Sequence, residues 1–186
     1  MGTVLLVLII GAAVWSIVIY NNLVTLRNRV ANAWRQIDVQ LRRRHDLIPN
    51  LVETVKGAME YERDTLEKVM AARARAVSAT GLAESVSAEN ALTQSLGRLF
   101  ALMEKYPVLK ANQNVLQLQE ELTTTENQLG FARQFYNDSA TKYNTQQQVF
   151  PSNFVAGFFD FKPVELFSAL EEDKAIPRVD LSLRSS

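Results

Sequence analysis

Apolar positions along this chain follow two rules in succession. From residue 2 to residue 20 they are continuous, interrupted only by Thr3 and Ser16, and the first charged side chain is Arg27. At about 1.5 Å per helical residue the run matches the roughly 30 Å hydrocarbon core of a bilayer. Beyond it, apolar residues recur at threes and fours. Leu23, Leu26, Val30, Trp34, Ile37 and Leu41 form one stripe, with Arg27, Arg29, Arg35 and Gln36 off it. That is the period of a helix face, and no strand-like alternation interrupts it before Phe150.

This pattern predicts an all-α protein: an N-terminal transmembrane helix followed by a long antiparallel helical bundle of the four-helix type. The membrane helix takes residues 2–22. The bundle, with an aromatic C-terminal segment, takes 23–165, and a polar, mobile tail takes 166–186. The first helix is expected to continue from the bilayer to about Arg44. Pro49 then either starts a new helix capped by Asp46 or kinks a continuing one. Leu51, Val55, Met59, Leu66, Met70 and Val77 mark the buried side of a second helix ending near Ser78. Residues 79–87 read as a turn. A third helix, about 88–105, buries Leu92, Leu96, Leu99, Phe100 and Met103, and Tyr106-Pro107 ends it.

The fourth helix, about 113–149, is the most regular. Val115, Leu122, Leu129, Tyr136, Tyr143 and Phe150 repeat every seven residues, with Leu118, Thr125, Ala132, Ser139 and Gln146 as partner positions. A heptad seam of this kind implies coiled-coil-like packing. Asn112 is the expected N-cap, and Gly130 suggests close approach of a neighbouring helix. Phe150, Phe154, Phe158, Phe159 and Phe161 crowd the next segment. They require a partner surface, either the bundle itself or another protein.

Charge adds an orientation. Between residues 27 and 45 lie Arg27, Arg29, Arg35, Arg42, Arg43 and Arg44 against Asp38 alone. A basic flank is retained in the cytoplasm. The expected location is therefore the cell inner (cytoplasmic) membrane, single-pass, with the N-terminus outside and the folded domain cytoplasmic. A cleaved signal peptide fits less well, because nothing basic precedes the run and bulky residues follow it. The same six arginines are candidate contacts for lipid headgroups or a partner. Nucleic acid is not an expected partner, since no aromatics interleave with the basic residues.

Chemistry is sparsely signalled. The 186 residues contain no cysteine and one histidine, His45. Thiol catalysis and Cys-ligated metals are excluded, and a Glu-x-x-His di-iron site lacks its histidines. His45 beside Asp46 is better read as a capping, headgroup or interhelical contact than as an acid–base pair, because neighbours on a helix point about 100° apart. Asp38 is placed to pair with Arg42 one turn on. The polar block Thr123, Thr124, Thr125, Glu126, Asn127 and Gln128, with Asn137, Asn144 and Asn153 beyond it, suits a buried layer that fixes helix register. No enzyme activity, cofactor or metal is expected.

Two stretches carry a family resemblance. One runs through Tyr20-Asn21-Asn22-Leu23-Val24, Ala33-Trp34 and Arg43-Arg44-His45-Asp46-Leu47-Ile48-Pro49-Asn50-Leu51-Val52. The other includes Tyr106-Pro107, Thr125-Glu126-Asn127, Ala132-Arg133, Tyr136-Asn137, Tyr143-Asn144 and Phe150-Pro151-Ser152-Asn153. Together they resemble the bacterial LemA family. The resemblance implies a single-pass membrane protein with a long-helix domain, no agreed activity, and membrane organisation as the class of role. The functional expectation is a non-enzymatic, self-assembling membrane scaffold; the alternative is an accessory subunit of a membrane proteolysis or envelope-stress system. Small residues Gly11, Ala12 and Ala13 in the membrane helix permit close contact between copies. Under either reading, Phe150, Phe154, Phe158, Phe159 and Phe161 are candidate oligomer or partner contacts.

Overall fold

The computed structural model describes residues 1–167. Every regular element among them is helical: α1 (Gly2–Lys56), α2 (Arg63–Ser78), α3 (Leu82–Met103), α4 (Pro107–Lys110), α5 (Gln113–Gln148) and α6 (Ser152–Phe158), with one 3-10 turn at Glu60–Glu62. The 55 residues of α1 form a rod about 80 Å long.

Pro49 neither breaks nor restarts the helix; α1 passes through it to Lys56. Of the two expected outcomes, the restart capped by Asp46 is therefore corrected, and the helix continuing through Pro49 is the one that forms. Proline removes the N–H that would bond the carbonyl four residues back, which here is His45. Arg73 of α2 supplies the missing donor: its Nε lies 2.6 Å from the His45 carbonyl oxygen. The real interruption falls after Lys56, where Met59 turns into the core and the 3-10 turn leads into α2. Leu51 and Val55 thus belong to α1. Val77, expected inside, is exposed, and Leu66, Val69, Ala72 and Ala76 form the buried side of α2.

The turn between α2 and α3 is only three residues long, shorter than expected. Gly81 adopts φ 82°, a left-handed conformation that glycine takes without steric cost. Glu84 accepts from both the backbone N–H and the hydroxyl of Thr80, at 2.9 and 3.2 Å, and so secures the start of α3 at Leu82. Asn112 caps α5 as expected, accepting from the N–H groups of Asn114 and Val115. The heptad positions Val115, Leu122, Leu129, Tyr136 and Tyr143 are all buried. Phe150 is not; it lies beyond the helix and is exposed. Gly130 serves no close approach, because a Cβ added there meets nothing within 4 Å.

The core divides into three blocks along α1. Nearest the N-terminus, Ile19 and Leu23 pack on Val155 and Ala156 of α6. Next, Leu26, Val30, Ala33 and Ile37 pack on Leu129, Ala132, Tyr136, Ala140 and Tyr143 of α5. Farthest out, Ile48, Leu51 and Val55 join residues of α2 and α3 with Val115 and Leu122. Rising numbers on α1 meet falling numbers on α5, so the two helices are antiparallel. The α2–α3 hairpin covers only the far block, so a two-helix stem widens into a four-helix head. The exposed side chains of residues 4–18 precede all three blocks.

Candidate functional site: a polar junction and an aromatic base

Stem and head meet at a buried polar layer. Arg44 and His45 of α1 lie between the core residues Ile37 and Ile48, and Thr125 and Glu126 of α5 lie between Leu122 and Leu129. Glu89 of α3 is the hub. One carboxylate oxygen accepts from Arg44 Nη1 at 3.0 Å, and the other lies 2.6 Å from His45 Nε2, which donates because a carboxylate only accepts. The side chains of Arg44 and Glu89 are each 3% exposed. Arg44 Nη2 donates to Thr93 Oγ1 at 2.7 Å and sits 3.1 Å from a Glu126 carboxylate oxygen, without the alignment of a hydrogen bond. With Arg73 on the His45 carbonyl, α1, α2, α3 and α5 are all tied at this level.

A shallow cleft of about 220 Å³ opens beside the layer, lined by residues including Arg44, Thr93, Thr123, Glu126 and Asn127. Glu89 has both oxygens engaged and does not face it as a free acid. Arg133 approaches from α5, and its Nε has no hydrogen-bond partner among the described residues. Burial lowers its pKa from the ordinary value, and the charge of Glu126 opposes that shift. Both charges of the buried Arg44–Glu89 pair are engaged, and the pair joins α1 to α3 at this level.

The arginines predicted as headgroup or partner contacts therefore separate. Arg44 does not belong with them, since it is enclosed by α3 and α5. Arg27, Arg29, Arg35, Arg42 and Arg43 are exposed along α1. Arg42 pairs with Asp38 at 2.8 Å, one turn back, as its spacing predicts. Arg27 stands over the Phe161 ring at 5.5 Å. Sequence reasoning missed Glu89, Thr93 and Arg73. A lone buried Glu on a helix carries no local signal, although an Arg-His pair on an apolar stripe does demand an acid from another helix.

The predicted aromatic contacts also separate. Phe161 packs inward, 5.6 Å from the Tyr20 ring. Phe150, Phe154, Phe158 and Phe159 remain exposed. After α6 the chain runs extended along the stem and is clasped by α5. Asn144 exchanges two hydrogen bonds with the backbone of Val164, at 2.8 and 2.9 Å. Asn137 does the same with Phe167, at 3.1 and 2.8 Å. Phe167 stacks on Trp34. The predicted mobile tail otherwise lies outside the described residues.

Comparison with known proteins adds a family. The LemA family profile matches residues 33–181. A protein named Protein LemA from Metamycoplasma hominis is 28% identical, over 87% of this chain and 72% of its own length. Magnetosome proteins MamQ 1 and MamQ 2 of Paramagnetospirillum magneticum are each 23% identical, over 80% of this chain and 64% of theirs. This chain thus spans under two thirds of the length of those magnetosome relatives. With the exposed apolar start of α1, the relatives point to a membrane-associated protein. The chain belongs to the LemA family.

Proposed function

We propose that this protein is a non-enzymatic membrane scaffold: a rod tethered by residues 2–22, with a bundle (23–165) that carries contacts to copies of itself. The observation that carries this reading is the continuity of α1. One unbroken helix of 55 residues begins in a fully exposed apolar stretch and ends in the core of the head. Load or tilt applied to the head passes directly to the membrane segment, with no flexible joint between them. The exposed Arg27, Arg29, Arg35, Arg42 and Arg43 support a cytoplasmic head at the inner membrane.

Self-assembly has its own support. Val39, Phe131 and Phe135 are exposed around one groove on the stem, with Arg35, Gln36, Gln40, Gln128 and Ala132. Val39 lies nearly 20 residues beyond Tyr20, about 30 Å along the helix, too far from the bilayer to meet lipid. An exposed aromatic strip in water at that height suits a protein contact. Size measurement of the detergent-extracted full chain, with and without Phe131→Ser/Phe135→Ser, tests it. A homo-oligomer reduced by the double substitution is expected. A strict monomer overturns the scaffold, and a stoichiometric foreign subunit in its place favours the accessory-subunit reading.

A further inference from the structure

The longest uncharged stretches of the chain occupy the same end of the rod. Residues 2–26 carry no charge, and neither does any residue between Lys142 and Asp160. Antiparallel α5 delivers the second stretch to the base of the first. There α6 turns Val155 and Ala156 onto Ile19 and Leu23. Its height is therefore that of residues 19–23 of α1. A helix of about 19 residues from Gly2 reaches that height after roughly 28 Å, the thickness of a hydrocarbon core. The short helix is placed at the boundary between acyl chains and headgroups.

The outward side of α6 is unlike a surface made for water. Phe154 and Phe158, one turn apart, are 68% and 83% exposed, and Phe150 packs edge-on to Phe154. Phe159 stands 4.7 Å from the Tyr20 ring and contacts Phe158, so the aromatic surface joins that of α1 without a gap. Charge returns immediately above. Asp160 and Lys162 pair at 3.0 Å, and Arg27 caps Phe161. Apolar below and ionic above is the vertical order of a bilayer interface. A protein partner requires no such ordering.

We propose that α6 and its flanking turns form a second membrane contact: an aromatic foot in which Phe150, Phe154, Phe158 and Phe159 enter the headgroup–acyl boundary beside the membrane-spanning part of α1. The inference rests on α1 being embedded. Its consequence is mechanical. One helix alone tilts in a bilayer at little cost, whereas a second contact beside it at the same height restrains the tilt of the rod and holds the foot at the interface. The groove around Val39, Phe131 and Phe135 is then held at a constant height above the membrane, where copies of the chain meet it at the same level.

The absence of cysteine permits a direct test. Phe154→Cys, Phe158→Cys, Val7→Cys and Tyr61→Cys, each in the full chain, are nitroxide-labelled and reconstituted into phosphatidylcholine/phosphatidylglycerol vesicles. Collisional access to oxygen and to a water-soluble nickel chelate is then read. Labels at 154 and 158 should favour oxygen over nickel several-fold more than the label at 61, approaching the label at 7. Nickel access at 154 and 158 equal to that at 61, with the label at 7 still protected, overturns the foot and leaves the anchor standing. Protection of 154 and 158 from both reagents, with spin–spin broadening, assigns the surface to a second copy and also overturns the foot. Protection from both without broadening assigns it to protein within the chain and does the same. Nickel access at 7 removes the anchor, and the foot with it. All four side chains are exposed, so the substitutions leave the core intact.

Discussion

Arg73 Nε donates to the carbonyl oxygen of His45 at 2.6 Å, and that carbonyl is the one Pro49 leaves without a helical donor. The proline and the arginine form a single device: the first opens a polar socket in the side of α1, and the second plugs α2 into it. Replacing Arg73 with Met should orphan the carbonyl and destabilise the protein by about 1–3 kcal/mol. In the Pro49→Ala background the same replacement should cost much less, because the restored N–H satisfies His45. Denaturant unfolding of the four proteins of this cycle measures the coupling; simple additivity would show that the two residues act separately.

Glu89→Ala should be among the most damaging single substitutions outside the apolar core. It leaves Arg44, only 3% exposed, with the less aligned Glu126 as its remaining counter-charge, and it removes the partner of His45 Nε2; breaking a buried pair in this way typically costs about 3–5 kcal/mol. Arg44→Met combined with Glu89→Leu removes both charges and should cost less than Glu89→Ala alone. Midpoints of chemical unfolding in detergent order the variants, and a double substitution worse than Glu89→Ala would contradict this account.

Asn137 and Asn144 should govern the attachment of the extended segment. Each offers a side-chain amide to one backbone unit, Phe167 and Val164 respectively, and replacement by Ala removes two hydrogen bonds worth about 1 kcal/mol each. Amide exchange at Val164 should accelerate in Asn144→Ala and at Phe167 in Asn137→Ala, while exchange in α3 stays unchanged. Uniform acceleration across the chain would mean global rather than local loosening.

Tyr136 carries a pH dependence. Its hydroxyl donates to the Glu165 carbonyl at 2.9 Å, and burial, helped by the charge of Glu165, raises its pKa above the ordinary value. The unfolded phenol ionises first, near pH 10. The stabilisation is therefore complete below about pH 10 and is lost as pH climbs through the folded pKa. Wild type should lose stability more steeply than Tyr136→Phe above that point and in parallel with it below. Parallel curves throughout would place no titration at Tyr136.

Gly130 should be improvable. It is exposed inside α5, its φ is helical, and an added Cβ meets no atom within 4 Å. Gly130→Ala should raise stability by about 0.5–1 kcal/mol. A thermal-midpoint decrease would reveal a contact that this packing lacks.

Helix existence, the Asn112 cap, the heptad seam of α5 and the apolar first stretch were all legible in the sequence, because each depends on residues within a turn or two of one another. The Asp38–Arg42 pair was legible for the same reason. Tertiary structure decided the rest. Pro49 looks like a break until Arg73, 28 residues along from His45, satisfies the freed carbonyl. Arg42, Arg43 and Arg44 look alike in the sequence. Only the placement of Glu89 and Glu126 separates the buried one from its exposed neighbours. The phenylalanines after Phe150 called for a partner, but their height beside Ile19 and Leu23 follows from the antiparallel return of α5. Periodicity is a local property and survives in one dimension. The pairing of a buried charge, and the distance of a side chain from a membrane, are set by which helices meet.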